Sequence, residues 1–391
     1  MATPQSPFLT PAQSPTYLGT RCAELAREKP IYYEEPFRAW MIMRPGDVLA
    51  CLREPELFSS RCYAIGALAA GPLSRDGEDH TRMRRVYSQF FTPSAVKHYE
   101  QAVVVPSVQR IVDAIADRKT VELTQDFAAK LPFEVFSRLL DLPVDSFEQT
   151  QGWIQALLRW LAGFHDPELV KAGELALRDM RDFIRPFIEA QMQRPTLNLF
   201  GEIIRGVQSE GNGTVEECQD AVIALLNASF ETTTWMLTGV LAGLLLTPEA
   251  LARVRADHAW IAPAVEEGMR WSNMVPFVYR LLTREATIGD TTLAAGTLVA
   301  PCIAAYHYDE RVYPRPEVFD LERRPTHAAF GMGPHYCIGA PLARMEARVG
   351  LSMLLGRFPH MRLDPARPPS FFYGAQGAST YWPDSLHVLV D

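Results

Sequence analysis

Residues 330–348, FGMGPHYCIGAPLARMEAR, place three glycines, one histidine and one cysteine within ten positions and continue into a helix-like run. Glycines let the backbone approach a bound group closely. The N–H groups and dipole at the start of a helix stabilise a thiolate. Three roles are open for Cys337: a buried core thiol, a catalytic nucleophile and a metal ligand.

The surroundings of Cys337 weigh on these alternatives. A zinc site is disfavoured because only His335 lies at ligand spacing and no second pair completes a tetrahedral set. A nucleophile is weakly supported, since no protease-like pattern supplies its base. A core thiol is the usual role of a free cysteine. The glycine loop nevertheless favours a thiolate presented to a large flat metal cofactor, and haem iron with a cysteine ligand is one such case.

The composition describes an ordinary globular chain. It has 391 residues, a formal net charge of −8, 48% hydrophobic and 21% charged residues. Length alone suggests two or three domains, but no linker or repeat divides the chain. An acidic chain without a basic stripe is a poor candidate for binding nucleic acid.

Targeting signals are absent from the sequence as it stands. The first residues lack a charged and apolar leader. The most apolar segment, 221–247, contains Asn227, Ser229 and Glu231, so it predicts a buried helix rather than a membrane span. The six cysteines form no CxxC pair, which favours free thiols in a reducing cytoplasm.

Local patterns predict a mainly α protein with a minor β region. IYYEE (31–35) and RAWMIM (38–43) are typical of a hairpin, and DVLACLRE (47–54) of a helix. Thr92-Pro93 and Thr247-Pro248 each predict a threonine-capped helix start. Short strands with turns at Gly289-Asp290 and Gly296 follow residue 280, and a helix begins near Ala340. Because strands and helices do not alternate, a parallel α/β sheet is not expected.

The loop 330–339 resembles the haem-binding loop of cytochrome P450 enzymes, FxxGxxxCxG, in its bacterial form FGxGxHxCxG, and APLARMEAR resembles the helix that follows it. The resemblance implies the cytochrome P450 fold and haem b with Cys337 as the axial thiolate ligand. It also implies one domain over 1–391, in which 1–29 is an N-terminal extension with a loosely ordered start.

Two further motifs occur in the order that this family has them. Glu267 and Arg270 resemble its ExxR pair, some 70 residues before the cysteine, and Arg323 resembles the third member of that buried network. The spacing alone means little, since Glu202/Arg205 and two earlier pairs share it. By the same resemblance, the haem propionates are held by four side chains: His80, Arg84, Arg280 and His335. Several donors suit two carboxylates, because buried carboxylates need charge-assisted partners.

Residues 228–233, ASFETT, resemble the family pattern AGx[DE]TT on the central helix above the haem. Glu231 and Thr232 therefore stand where the acid–alcohol pair for oxygen activation is expected. Two departures occur: Ser229 replaces the usual glycine, and residues 307–309 read His-Tyr-Asp rather than Asn-Arg-Asp. The resemblance also predicts substrate-pocket residues, namely Asn227, Ala228, Val275, Phe277 and Phe372.

These features together predict a haem-thiolate monooxygenase that inserts one oxygen atom from O₂ into a small lipophilic or aromatic substrate. Electrons would come from a ferredoxin and a ferredoxin reductase, and the enzyme would be a cytoplasmic monomer that binds neither nucleic acid nor membrane. Two alternatives remain open at this stage. One is a specialised oxidation such as phenol coupling, desaturation or nitration, and the other is a non-catalytic haem sensor.

Overall fold

The computed structural model describes residues 6–9, 14–194, 196, 198–210, 213–369, 371–373, 381–383 and 385–390, with the backbone alone at 372, 373, 381 and 382. The fold is mainly helical, as predicted. Its α-helices are α1 (Tyr17–Glu28), α2 (Pro45–Arg53), α3 (Gly77–Ser88), α4 (Pro93–Tyr99), α5 (Val105–Ala114), α6 (Lys130–Leu139), α7 (Phe147–Ala162), α8 (Pro167–Gln193), α9 (Leu199–Glu210), α10 (Val215–Leu246), α11 (Pro248–Ala256), α12 (Ile261–Ser272), α13 (Ile303–His307) and α14 (Ala340–Arg357).

The strands form small sheets around this helical body. They are β1 (Ile31–Glu34), β2 (Ala39–Ile42), β3 (Phe58–Ser59), β4 (Thr120–Glu122), β5 (Arg280–Leu282), β6 (Ala286–Ile288), β7 (Thr291–Leu293), β8 (Leu298–Pro301), β9 (Arg362–Leu363), β10 (Phe371–Tyr373), β11 (Tyr381–Pro383) and β12 (His387–Leu389). The largest sheet has the order β1-β2-β8-β5-β3, and the others are β4-β12-β9, β6-β7 and β10-β11. The predicted hairpin β1–β2 is confirmed, with Ile31 opposite Ile42. The predicted turns are confirmed too, since Gly289 and Gly296 have φ of 57° and 81°.

Helix α10, 32 residues long, is the central element. Thr214 and Glu217 start it with a reciprocal capping box: the Thr214 side chain accepts from the Glu217 N–H and the Glu217 carboxylate accepts from the Thr214 N–H. Most of its residues are buried on every side, as expected of a core helix. The sequence prediction at the other end was half right. Helix α11 does begin at Pro248, but the Thr247 side chain makes no capping bond.

Helix α12 crosses α10 at close range because small residues face each other. A Cβ on Gly268 would lie 2.7 Å from a methyl of Val240, and a Cβ on Gly239 would lie 2.7 Å from the Ser272 hydroxyl. Helix α12 also packs against α14, which follows the cysteine loop. The three helices therefore fix the cysteine loop relative to the central helix.

Helix α1 was not predicted. It buries Leu18 and Cys22, and its Gly19 lies against the ring of Tyr308, where a Cβ would come within 2.4 Å of the ring. Of the N-terminal extension 1–29, whose start is expected to be loosely ordered, residues 1–5 and 10–13 lie outside the described residues, while Phe8 is fully buried.

The predicted buried helix over 221–247 is confirmed. Within the described ranges, no single helix is long and apolar enough to cross a membrane. Helices α10 and α11 pass that test only when taken together, and a bend of 103° separates them.

Candidate active site

The cysteine loop is held in a tight shape by its own backbone. Gly331 and Gly333 have φ of 72° and 69°, in the left-handed region that favours glycine. The Cys337 N–H donates to the Phe330 carbonyl at 2.8 Å. A Cβ on Gly333 would lie 2.8 Å from the carbonyl oxygen of Leu52, so the loop also packs closely on the end of α2. These contacts present the thiol just before α14 begins.

Cys337 opens onto a cavity of about 350 Å³. The side chain is accessible there although protein surrounds it on its other sides. Burial raises the pKa of the thiol, while the Gly339 N–H and the Arg84 guanidinium act in the opposite direction. In the described part of the chain, no group of three or more His, Cys, Asp or Glu side chains could hold a metal ion. A single sulfur ligand suits a cofactor that supplies the other metal ligands itself.

Arg280 and His335 line the same cavity as Cys337. The Arg280 side chain is buried and donates to the carbonyl of Tyr279 at 2.7 Å, and no carboxylate among the described residues pairs with it. The Nε2 atom of His335 likewise lacks a hydrogen-bond partner in the described structure, and its nearest acid is Asp76, at 3.5 Å. Burial, together with the charge of Arg280, lowers the pKa of His335 to about 4. A buried cation without a carboxylate partner and the imidazole of His335 thus face a cavity that would accept an anionic group.

His80 and Arg84, the other two residues predicted to bind the propionates, lie near Arg280 and His335 but do not line the cavity. His80 is buried on α3, and its ring centroid is 4.3 Å from that of His335. Arg84, one turn later, donates to the carbonyls of Pro334 and Tyr336 at 3.1 and 2.6 Å. The structure brings His80 and His335 together, whereas Arg84 contacts the cysteine loop and does not line the cavity.

These observations test whether haem fits. Haem b requires one axial ligand, an apolar surface beneath the macrocycle and donors for two carboxylates. Cys337 supplies the first, Phe330, Ile338, Leu342 and Ala343 line the cavity as apolar surface, and the Arg280 guanidinium and the His335 imidazole supply the last. The residues present therefore fit the cofactor.

Helix α10 contributes another part of the cavity lining. Asn227, Ala228, Ser229 and Thr232 line it. The Thr232 hydroxyl donates to the Ala228 carbonyl at 2.7 Å, and the Ser229 hydroxyl donates to the Leu225 carbonyl at 2.8 Å. Ser229, which stands where the family has glycine, thus bonds its own helix.

Glu231 is placed differently from Thr232. Its side chain is buried, interacts with Gln155 of α7 and with Trp235 on its own helix, and does not line the cavity. Burial raises its pKa to about 7, although Gln155 and Trp235 act against this. The predicted acid and alcohol are therefore neighbours in the chain, but only the alcohol lines the cavity.

The predicted substrate pocket agrees with the cavity where it can be compared. Asn227, Ala228, Val275 and Phe277 line it, and the side chain of Phe372 lies outside the described residues. Sequence analysis missed Leu158 and Leu161 of α7, which also line it, because an amphipathic helix carries no motif. It also missed Asp76, Gln155 and Glu346. Among the three, only Glu346, fully buried at the cavity, carried a signal: an acid on the apolar face of α14.

The predicted buried network below the cysteine loop is confirmed. Arg270 donates to both oxygens of Glu267, at 2.7 and 2.9 Å, and to the His307 carbonyl at 3.1 Å. Arg323 and the backbone N–H of Asp320 also donate to Glu267, at 3.1 and 3.0 Å. The Glu267 and Arg270 side chains are both fully buried. Each ionised side chain in this network, Glu267, Arg270 and Arg323, thus has a hydrogen-bonded partner of opposite charge.

The altered segment 307–309 is also part of the scaffold. His307 lies within hydrogen-bond distance of Asn273 at 3.1 Å and accepts from the Ala328 N–H at 3.0 Å. Burial lowers its pKa well below the usual range, so this imidazole is neutral. Tyr308 donates to the Trp271 carbonyl at 2.9 Å. The substituted residues therefore connect α12, α13 and the segment before the cysteine loop.

A second ion network joins α12 to α14. Arg344 binds Glu266 through two bonds of 2.7 and 2.8 Å, and His327 approaches the same carboxylate at 3.0 Å. Burial opposes ionisation of Glu266, but these partners outweigh it and lower its pKa to about 2. The Arg344 guanidinium also lies 4.4 Å from the ring centroid of Phe330. The cysteine loop is thus held from α12 as well as from its own glycines.

Comparison with known proteins gives one consistent result. The cytochrome P450 family model matches residues 55–378. A C-19 steroid 1alpha-hydroxylase of Sorangium cellulosum (strain So ce56) is 38% identical over 385 residues, 98% of each chain. The solved structure of Sorangium cellulosum So Ce56 cytochrome P450 260B1 has a TM-score of 0.92 at 39% identity and covers 99% of this chain and 98% of that one. The hydroxylase HmtN from himastatin biosynthesis has a TM-score of 0.80 at 31% identity, with 93% and 94% covered. The chain therefore belongs to the cytochrome P450 family of monooxygenase enzymes.

Proposed function

We propose that the protein binds haem b through Cys337 and inserts one oxygen atom from O₂ into a compact lipophilic substrate. The observation that carries this proposal is the convergence of Cys337, Arg280, His335 and Thr232 on one largely apolar cavity. We also propose that residues 1–391 form one domain, since the buried residues of the main hydrophobic core range from Phe8 to Val388.

Each side chain then has a task. Haem, when bound, supplies the chemistry of oxygen activation. Cys337 would hold the iron, and Arg280 and His335, with His80 and Arg84 beside them, would pair with the propionates. Thr232 offers its hydroxyl to the cavity. Glu231, with a pKa of about 7, both holds and releases a proton near neutral pH, which suits general acid catalysis. Its interactions with Gln155 and Trp235 place the carboxyl beside the cavity rather than in it.

The substrate class follows from the cavity and the relatives. Leucine, phenylalanine and methionine side chains provide much of the lining. Such a pocket suits a mostly hydrocarbon molecule. The relative that is 38% identical is a C-19 steroid 1alpha-hydroxylase, so we propose steroids of that size as the first substrates to test.

We also propose that electrons come from a ferredoxin and ferredoxin reductase, as the family resemblance implies, and that the protein is a cytoplasmic monomer. The six cysteines are all free, which suits a reducing compartment. Consumption of NADH with a ferredoxin system, measured with and without a steroid, tests both the electron route and turnover. No substrate-dependent consumption with any ferredoxin would contradict the proposal.

The ligand assignment has its own test. Ferrous protein with CO should show the red-shifted Soret band of thiolate ligation, and Cys337→Ser should abolish it. Cys62→Ser is the matched control, because Cys62 is also free but does not line the cavity. Persistence of the band in Cys337→Ser, or its loss in Cys62→Ser, would remove the assignment.

A further inference from the structure

Asn227 differs from Ser229 and Thr232, two other polar residues of α10 that line the cavity. Its side chain is almost completely buried, at 2% exposure, and lines the cavity. Its Oδ1 atom has no hydrogen-bond partner in the described structure. Ser229 and Thr232 on the same helix each donate to a backbone carbonyl one turn earlier. A buried amide oxygen without a hydrogen-bond donor costs free energy, so we expect Asn227 to have a function that outweighs this cost.

Tyr63 and Glu346, which also line the cavity, limit that cost in different ways. The Tyr63 hydroxyl accepts from the backbone N–H of Tyr279 at 2.8 Å. Glu346 lacks a hydrogen-bond partner within the described ranges, but burial raises its pKa to about 8, so it keeps its proton at neutral pH and does not bury a charge. Asn227 has neither route, because an amide cannot change its charge near neutral pH. As placed, the oxygen has almost no exposed surface, but a turn of the amide about its last side-chain torsion points it into the cavity that Asn227 lines, where the occupant can supply the donor.

We infer that Asn227 accepts a hydrogen bond from a hydroxyl group of the substrate, and that the preferred substrates are rigid hydrocarbon skeletons bearing such a hydroxyl. The inference rests on the proposed function. It specifies that the cavity recognises the hydroxyl-bearing end of the substrate. The apolar lining alone does not distinguish one end of the substrate from the other.

The position of Asn227 also bears on where oxidation occurs. Asn227 precedes Thr232 by five residues on a continuous helix, which is about 7.5 Å along the helix axis. A hydroxyl bound at Asn227 therefore lies more than one helical turn from Thr232. A steroid nucleus is long enough to place its hydroxyl at Asn227 and a distant ring near Thr232.

The test uses three matched probes: androstane, one androstanol and the androstanone with its oxygen on the same carbon. Their dissociation constants are measured by calorimetry on haem-loaded protein. We expect wild type to bind the alcohol about 10-fold more tightly than the hydrocarbon, equivalent to about 1.4 kcal/mol. Asn227→Leu should lose that preference while binding androstane equally well or better, and its melting temperature should not fall.

Thr234→Val serves as the control. Thr234 is buried on the same helix, donates to the Phe230 carbonyl at 2.9 Å and does not line the cavity. It should keep the preference for the alcohol even if its melting temperature falls. Equal losses for alcohol and hydrocarbon in Asn227→Leu, with a lower melting temperature, would make Asn227 structural and overturn the inference. Stronger binding of the ketone than the alcohol by wild type, or no binding of any probe, would overturn it as well. The CO spectrum of each variant reports on thiolate ligation separately, so a failure of the haem assignment is distinguishable.

Discussion

On the cysteine side of the molecule, the carboxylate of Glu267 accepts hydrogen bonds from Arg270, Arg323 and the backbone N–H of Asp320. On the central helix α10, the carboxyl of Glu231 has only neutral neighbours, Gln155 and Trp235, and burial raises its pKa to about 7, while Asn227 Oδ1 has no hydrogen-bond partner among the described residues. Both regions bury polar groups. In the first region, the protein itself supplies every hydrogen-bond partner of the carboxylate. In the second region, Glu231 can gain or lose a proton, and Asn227 Oδ1 can accept a hydrogen bond from a ligand.

This difference indicates that the Glu267 network has a structural role and that the polar groups of α10 have a role in the chemistry. A fully paired buried network adds little net stability but makes each member indispensable, because removing one leaves an uncompensated charge. A group that is only partly satisfied costs stability in the resting protein, and function is the reason to retain it. Mutations in the two regions should therefore differ in what they impair.

The largest effect is expected at Glu267. Glu267→Gln removes the negative charge between two arginines, so the free energy of unfolding should fall by about 3–5 kcal/mol. Urea denaturation measures it. Glu202→Gln is the matched control, because Glu202 and Arg205 have the same spacing on α9 but their side chains are 37% and 34% exposed. An exposed pair is worth about 0–1 kcal/mol. Similar losses in both variants would remove the distinction between a buried network and an ordinary helix pair.

A smaller effect, on rate, is expected at Glu231. Glu231→Gln keeps the shape and the neutral charge of the protonated acid but cannot release a proton, so turnover should fall by about 10²-fold. Substrate-dependent oxidation measures it, and haem content and the CO spectrum should not change. Turnover equal to wild type would mean that proton delivery does not use Glu231.

The same variant makes a prediction about pH and stability. Burial raises the pKa of Glu231 to about 7, so the folded protein keeps the proton between about pH 5 and 7 while the unfolded chain releases it. The stability from this group is complete below the unfolded pKa and is lost as pH rises through 7, at up to about 1.4 kcal/mol per pH unit. Glu231→Gln should remove that slope. An identical slope in wild type and variant would contradict the raised pKa.

Sequence patterns predicted the features of both regions that depend on neighbours along the chain. The cysteine loop, the β1–β2 hairpin and the Thr92 cap, whose side chain accepts from Ala95 N–H, follow from local spacing. Thr247 has the same Thr-Pro pattern and makes no cap, with φ −123° and ψ 83°, because it connects α10 to α11 at a sharp bend. Local composition does not encode that bend.

Features that depend on distant contacts were not predictable from one sequence. Gln155 approaches Glu231 from α7, and Asp76 approaches His335 from the segment before α3. Neither residue belongs to a motif, and each is adjacent to its partner only because helices pack. Helix α1 was missed for the same reason, since its burial depends on Tyr308. The pKa of Glu231 and the missing partner of Asn227 are consequences of such packing.

The smallest effect is expected at Ser229. Its hydroxyl donates to the carbonyls of Leu225 and Leu226 at 2.8 and 3.3 Å, so it is already satisfied within α10. Ser229→Gly restores the residue usual in the family and should cost only about 0.5 kcal/mol, the difference between serine and glycine in a helix. Turnover and its coupling to electron consumption should change less than 10-fold. The double variant Ser229→Gly, Thr232→Ala sharpens the result. Loss of the Thr232 hydroxyl in Thr232→Ala should divert electrons from the substrate to hydrogen peroxide. If Thr232 alone serves the cavity, the double variant should release as much hydrogen peroxide as Thr232→Ala. More peroxide from the double variant would show that the Ser229 hydroxyl leaves its backbone partner and takes part in proton delivery, and the central helix would then hold a third functional polar group.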